Sequence, residues 1–437
     1  MVKRIAKVPE TTDPNRWHPY PPKSVKETGL SEGFISDLLL KVLYFQGQLT
    51  GYELADKIHL PYQNVTSDAL EFLKREQMCE VTGKGSGVGS GAYQYVITTK
   101  GATRAREQLQ RTAYTGPAPV PWPEYVKAMK AQGTQRLQVN PQMMAKALSH
   151  LILDDMVVSK LGPAVNSGKS MFLYGPPGNG KTTIAESIGR MVLQSDMYVP
   201  HAVDIDGQLV KVFDGINHVP AVPETDRGGN PVKYDKRWVR IKRPVIMVGG
   251  ELTMDGLELI YDDTNKYYEA PFQMKANGGM FLIDDFGRQQ IRPRDLLNRW
   301  IVPMERRTDF LALHTGRKVE VPFEVLIVFS TNLPPKDLVD EAFLRRIRHK
   351  IEVTSPSYEE YRDIFKRVCQ AKGVGYDENL VKYLLQEHYV NHKRPVRASH
   401  PRDIIDQILD VASYLGHDPV LSKELVDRAV GAYFVDL

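Results

Sequence analysis

The hydrophobic pattern changes its period several times along the chain, and each change marks an element. Phe34–Phe45 is strongly apolar and predicts a buried helix. Thr50–Ile58 opens like a helix, with Thr50 as N-cap and Glu53 three residues on. Val65, Ala69, Leu70, Phe72 and Leu73 fall at helical spacing within Val65–Glu76. Two short strand-like runs follow, Cys79–Thr82 and Tyr93–Thr98, joined by the Gly/Ser-rich Gly83–Gly91. Lys100–Arg111 then reads as a helix. Farther on, Met171–Tyr174, Met280–Ile283 and Val325–Phe329 are apolar at successive positions, as suits central strands of a parallel sheet buried on both faces. Thr183–Leu193 is a helix between the first two of these. Tyr358–Ala371, Glu378–His388, Asp403–Leu415 and Ser422–Val430 complete the chain as helices.

That order predicts five segments. Residues 1–30, with Pro9, Pro14, Pro19, Pro21 and Pro22, read as an extended or disordered arm. Residues 31–112, three helices, a hairpin and a helix, have the order of a winged helix-turn-helix. Residues 113–140 form a linker stiffened by Pro117, Pro119, Pro121 and Pro123, braced by a helix-like Pro123–Gln132. Residues 141–353 alternate strands and helices as an α/β domain, and residues 354–437 are helical. No internal repeat is present in the sequence.

Composition narrows the class without naming it. The 437 residues are 42% hydrophobic and 25% charged, ordinary for a globular protein. The longest apolar runs, such as Pro244–Val248, are too short for a membrane span. The basic Met1–Glu10 is not followed by an apolar stretch, so no signal peptide is expected and the expected location is cytoplasmic. Cys79 and Cys369 are too few and too distant for a disulfide framework or a zinc site. The net charge of +4 neither requires nor excludes nucleic acid.

The chemistry begins at Gly175-Pro176-Pro177-Gly178-Asn179-Gly180-Lys181-Thr182, placed between a strand and a helix that starts at Thr183. This is a phosphate-binding P-loop in its proper strand–loop–helix context. The glycines let backbone N–H groups approach phosphate oxygens, and the helix N-terminus adds partial positive charge. Lys181 is expected to reach the β- and γ-phosphates of ATP, and Thr182 to hold Mg²⁺. The strand Met280–Ile283 ends in Asp284 and Asp285. Asp284 is expected at Mg²⁺, which takes hard oxygen ligands, and Asp285 at the attacking water. Asn332, just past Val325–Phe329, can hydrogen-bond that water or the γ-phosphate. Arg345 and Arg346 in Asp340–Ile347 can form a solvated helix end or reach a neighbouring subunit's nucleotide.

These elements, in this order, resemble the AAA+ ATPases over roughly residues 141–437. The resemblance implies an AAA+ P-loop core with a central parallel sheet and a C-terminal α-helical lid. It sets Walker A on Gly175–Thr182, Walker B on Met280–Asp285 and sensor 1 on Asn332. It implies an arginine finger on Arg345 or Arg346 and sensor 2 on Arg402, in Pro401-Arg402-Asp403-Ile404-Ile405. A homo-oligomeric, hexameric ring with nucleotide at subunit interfaces follows from the same likeness. Gly279–Arg288, Leu296–Trp300 and Asp340–Ile347 look more narrowly like bacterial, chaperone-like ATPases associated with pilus assembly.

Two features depart from the pattern. Walker B ends Asp-Asp rather than Asp-Glu, drawing the second carboxylate back by on the order of 1.5 Å. Lys181 and Asp284 lie 103 residues apart, which implies extra length within Asp204–Pro271. There Val222–Lys236 is rich in turn residues and Leu252–Asp262 looks helical. Lys266-Tyr267-Tyr268 looks exposed, and reads either as a polymer-gripping pore loop or as packing between subdomains.

The N-terminal module leaves its partner open. Gln63, Asn64, Thr66, Ser67, Lys74, Arg75 and Lys84 could face DNA, but Asp68, Glu71 and Glu76 share the same helix. Residues 1–112 carry 15 Lys/Arg against 12 Asp/Glu, a net of +3, which predicts weak DNA binding and favours protein contacts. Three functions therefore compete. They are a remodelling ATPase acting on protein partners, a DNA-associated ATPase or regulator, and a slow nucleotide switch or scaffold.

Overall fold

The computed structural model describes residues 17–134, 138–192, 194–225, 229–338, 341–416 and 420–434, without the side chains of residues 342 and 343. Residues 1–16 of the expected arm, 135–137 of the linker, Leu193, the turn residues Asp226-Arg227-Gly228 and Asp340 lie outside it.

The centre is a five-stranded parallel sheet. Its strands run in the order Val245–Val248, Met280–Ile283, Leu326–Thr331, Ser170–Tyr174, His349–Glu352. Side chains alternate across it, so each strand feeds two cores. Phe172, Phe281, Ile283, Ile327 and Phe329 pack on one face with Trp300 and Phe323. Met171, Leu173, Met280, Leu282, Leu326 and Val328 pack on the other. Ile184, Ala185 and Ile188 of helix Lys181–Val192 cover that second face. Because the strands are parallel, their carboxyl ends share one edge. Gly175, Asp284, Asp285 and Asn332 all leave the sheet there.

The N-terminal helices and strands form close to the expected positions. Helices Glu32–Gln46, Gly51–Lys57, Ser67–Arg75 and Thr99–Arg111 surround a three-stranded antiparallel sheet of Leu49–Thr50, Tyr93–Ile97 and Cys79–Lys84. Thr50 and Glu53 form a reciprocal capping box. Gly101 lies so close to the preceding chain that a Cβ there would meet the Met78 carbonyl at 2.0 Å.

The helix expected to brace the linker forms as Trp122–Gln132, and both the arm and the linker are packed onto the rest of the chain. Neither is a free tether over the described residues. Trp17 packs edge-on against Trp238 at 4.9 Å, and Thr28 and Leu30 are buried. Val120–Pro121 pairs in parallel with Ala202–Ile205, and helix Trp122–Gln132 buries Tyr125, Ala128 and Met129. A proline-rich chain loses donors but keeps its carbonyls, and these are used. The Pro119 carbonyl accepts from Arg237, and the Ala118 N–H donates to the Ile58 carbonyl.

These segments are held by the extra length between Lys181 and Asp284. Gln208–Lys211 lies between Ala202–Ile205 and Tyr267–Glu269 in a second five-stranded sheet, with Ile260–Asp262 at its edge. Asp196–Pro200 pairs with Trp238–Lys242, and the hairpin Thr308–Ala312/Lys318–Pro322 joins the same core. Arg237, only 1% exposed, ties the insertion to the N-terminal side. It grips Asp235 at 2.8 Å and donates to the Thr28 carbonyl at 2.8 Å.

Within the insertion one reading is corrected and one of two alternatives is selected. Leu252–Asp262 is not a helix but a single turn, Asp255–Leu257, and then a strand. Gly256 inside the window is a poor helix former, and strand pairing with Tyr267–Glu269 wins. Tyr268 is 1% exposed and Tyr267 packs edge-on against Tyr114 at 5.8 Å, so this pair serves packing rather than a pore. The expected C-terminal helices form among the described residues: Tyr358–Lys372, Glu378–Leu384, His400–Leu415 and Lys423–Tyr433 share one core.

Candidate functional site

The loop after Ser170–Tyr174 needs its glycines. Gly175 has φ +138°, and a Cβ would meet the Val353 carbonyl at 2.3 Å. Gly178 has φ +76° and a Cβ there would stand 2.7 Å from Ser399 Oγ. Both positions favour glycine through positive φ and close approach. Lys181 opens the helix and is buried. Its ammonium donates to the carbonyls of Gly175 (3.0 Å) and Pro176 (2.9 Å) and to Asn332 Oδ1 (2.7 Å). Burial lowers its pKa, while Asp285 and Asp284 oppose that shift. Thr182 Oγ1 donates toward both carboxylate oxygens of Asp284, at 3.1 and 2.9 Å.

Asp285 is exposed at the mouth of the site with φ +48°. Aspartate tolerates this left-handed conformation better than most residues, which supplies a physical reason for Asp where Glu was expected. Its Oδ1 accepts from Asn332 Nδ2 at 3.0 Å. Asn332 thus bridges the P-loop lysine and the second acid. Gln289, which the sequence reading did not single out, braces the turn. Its amide donates to the carbonyls of Asp284 (2.8 Å) and Asp285 (3.1 Å) and accepts from the Gly287 N–H (2.8 Å).

Lys181, Thr182, Asp285 and Asn332 line one cavity of about 470 Å³. Pro177, Gly178, Asn179, Gly180, Lys181, Thr182 and Thr183 form one wall, with Asp285 and Asn332 beside them. The opposite wall is largely apolar: Leu151, Ile152 and Leu153 from a loop, and Ile364 and Val368 from helix Tyr358–Lys372. Sequence reasoning missed this wall. Its only local signal is an apolar triplet that fits no helix. Arg367 closes the wall by donating to the carbonyls of Ser149 (2.9 Å) and Leu151 (3.4 Å).

The C-terminal helices touch the P-loop directly. The Ser399 N–H donates to the Gly178 carbonyl at 2.8 Å, and the Ala398 N–H to Asn179 Oδ1 at 3.3 Å. Asn179 also donates to Ser355, which accepts from Arg397 as well. Arg402 lines the cavity and pairs with Asp403. Arg345 and Arg346 are not brought to this cavity. Arg345 is exposed and paired with Glu341, and Arg346 pairs with Glu305 at 2.6 Å.

The arrangement can hold a nucleoside triphosphate, with a lysine and loop amides for phosphate and an apolar cleft for the base. Thr182 and Asp284 supply adjacent hard oxygens, which fit Mg²⁺. Strand order, P-loop, paired acids and polar bridge together define a P-loop nucleotide-binding core. Comparison with known proteins agrees. The chain is 53% identical over 245 residues to a vesicle-fusing ATPase of Dictyostelium discoideum, covering 54% of this chain and 27% of that one. It therefore spans about a quarter of that relative's length.

The resemblance to the AAA+ ATPases stands on this relative, which lends no support to the narrower pilus-associated likeness. Residues 357–432 match a family model described as a domain of unknown function, DUF8689. Among solved structures, NtrX from Brucella abortus in complex with ADP overlaps 66% of this chain and 57% of its own, at 14% identity and TM-score 0.40. The Thermotoga maritima RuvB Holliday junction branch migration motor overlaps 67% and 74%, at 16% identity and TM-score 0.39. Both overlaps are partial. Among the described residues no helix is long and apolar enough to cross a membrane.

Proposed function

We propose that this chain is a Mg²⁺-dependent AAA+ ATPase that binds and hydrolyses ATP at the interfaces of a homo-oligomeric, hexameric ring. The observation that carries the reading is the bridge Lys181–Asn332–Asp285, spanning 2.7 and 3.0 Å and joining groups from three separate segments. Lys181 and the loop amides neutralise the β- and γ-phosphates. Thr182 and Asp284 hold Mg²⁺, which supplies charge to the phosphate oxygens when bound. Asp285 accepts a proton from water as the water oxygen attacks the γ-phosphorus in line. Asn332 orients that water. The bond from γ-phosphorus to the bridging oxygen breaks, and ADP carries the electron pair away. Arg345, which is exposed, or the half-buried Arg346 completes the site of the next subunit. Arg402 contacts the terminal phosphate from the helical lid, residues 354–437.

The work done by hydrolysis is read as remodelling of protein partners in the cytoplasm, with the winged helix of residues 31–112 as docking module. Asp68 and Glu71 are exposed beside Lys74 and Arg75, and that mixed face suits protein better than phosphate. One observation favours slow turnover as a second reading: Asp285, one methylene shorter than Glu, stands at this position on a left-handed backbone. The test measures phosphate release and particle mass together, with ATP and Mg²⁺, with and without duplex DNA. ATP-dependent assembly and hydrolysis are expected, unchanged by DNA. Activation by DNA would promote the DNA-associated reading. Lys181→Ala is expected to abolish nucleotide binding, and surviving hydrolysis would end the proposal.

A further inference from the structure

The end of the last helix is wired to the mouth of the nucleotide cavity. Arg402 is 65% exposed and engages Asp403 Oδ1 through Nε and Nη2, both at 3.2 Å. That grip leaves the Nη1 edge of the guanidinium for another acceptor. An isolated exposed pair of neighbours in sequence would hold the arginine weakly. Here the acid is itself fixed, because Asp403 Oδ2 accepts from the Tyr433 hydroxyl at 2.9 Å. Tyr433 is fixed in turn by edge-on contacts with His400 at 5.6 Å and Phe434 at 4.9 Å. His400 Nδ1 meets the Tyr389 hydroxyl at 2.9 Å, and Tyr389 meets Tyr361 at 3.0 Å in the helical core. The residue before His400 is Ser399, whose N–H donates to the Gly178 carbonyl of the P-loop. The same short stretch, Ser399–Asp403, therefore touches the phosphate loop, carries the arginine and receives the C-terminal tyrosine.

We propose that Asp403, backed by Tyr433, is a positioning residue that aims Arg402 at the terminal phosphate of the bound nucleotide. The inference rests on the reading of Arg402 as a phosphate contact. Its consequence is discrimination: a correctly aimed guanidinium favours the triphosphate over the diphosphate, and a loosened one favours it less. Loss of one hydrogen bond in such a chain is worth about 0.5–1.5 kcal/mol, or roughly two- to tenfold in affinity.

Isothermal titration of the full chain with Mg²⁺ and either ADP or a non-hydrolysable ATP analogue tests this. Tyr433→Phe removes only the hydroxyl, and Asp403→Asn only the charge. Each is expected to weaken the ATP analogue by roughly two- to tenfold while ADP stays within about twofold. Neither should add to the effect of Arg402→Ala, because both act through that side chain. If Arg402→Ala lowers the preference for the ATP analogue and the other two variants leave it unchanged, positioning is refuted and the contact survives. If Arg402→Ala itself leaves the preference unchanged, the reading of Arg402 fails first. Equal weakening of both nucleotides would mark a purely structural role and also refute positioning.

Discussion

Asp285→Asn separates binding from turnover at this site. The substitution changes one oxygen to an amide and keeps the residue's length. Asn can still accept from Asn332 Nδ2 at the present 3.0 Å, and it tolerates the φ of +48°. The Lys181–Asn332 contact at 2.7 Å does not involve the altered atom. The P-loop should therefore persist, and affinity for ATP should stay within about threefold or improve slightly as a negative charge leaves the phosphate region. What is lost is the base. Removing a positioned general base typically costs 10²–10⁴ in rate, or about 3–5 kcal/mol of transition-state stabilisation. Steady-state phosphate release, paired with titration of a non-hydrolysable analogue, reads both quantities. A loss of less than about tenfold in kcat would refute the assignment of Asp285 to the attacking water. Equal loss of binding and turnover would mean that the acid shapes the loop instead.

Three further outcomes follow from named contacts. Gly178→Ala forces a Cβ to within 2.7 Å of Ser399 Oγ at φ +76°, which should disturb the Gly178–Ser399 hydrogen bond. Weakening of the ATP analogue by about tenfold in titration is expected, and unchanged affinity would show that the loop relaxes freely. Arg237→Met leaves Asp235 buried without its cation and should destabilise the fold by about 3–5 kcal/mol in urea denaturation. A loss under about 1 kcal/mol would mean that water replaces the guanidinium. Burial holds His201 and His400 neutral, each near pKa 4 against an ordinary 6.5. The unfolded chain then binds more protons between those values, so this contribution is full above about pH 6.5 and is lost toward pH 4. The melting temperature should fall from pH 7 to pH 5, and His201→Gln should flatten that slope.

Much of the core was legible from local pattern. Met280–Ile283 and Val325–Phe329 alternate between two buried faces, and continuous apolar runs of that length report a central parallel sheet without any knowledge of its neighbours. The P-loop is legible for the same reason: Gly175, Gly178 and Gly180 all take positive φ within one turn. Thr50 and Glu53 announce a helix start through contacts three residues apart.

What the sequence could not convey is which distant segments meet. Asn332 reaches Lys181 across 151 residues only because the sheet sets their strands side by side. The wall made by Leu151–Leu153 and Ile364 needs a loop and a helix more than two hundred residues apart. Proline content suggested a tether at Thr115–Pro123, yet carbonyls do not need the missing N–H, and the insertion supplied donors and a pairing strand. Tyr268 looked exposed by its neighbours in sequence and is buried by strands that fold in from elsewhere. Spacing along the chain encodes the elements with a strong period and their buried faces, as in the central strands, but not Leu252–Asp262 or Tyr268. The partners that complete a site are chosen by strand order and packing, which no short stretch of the chain contains.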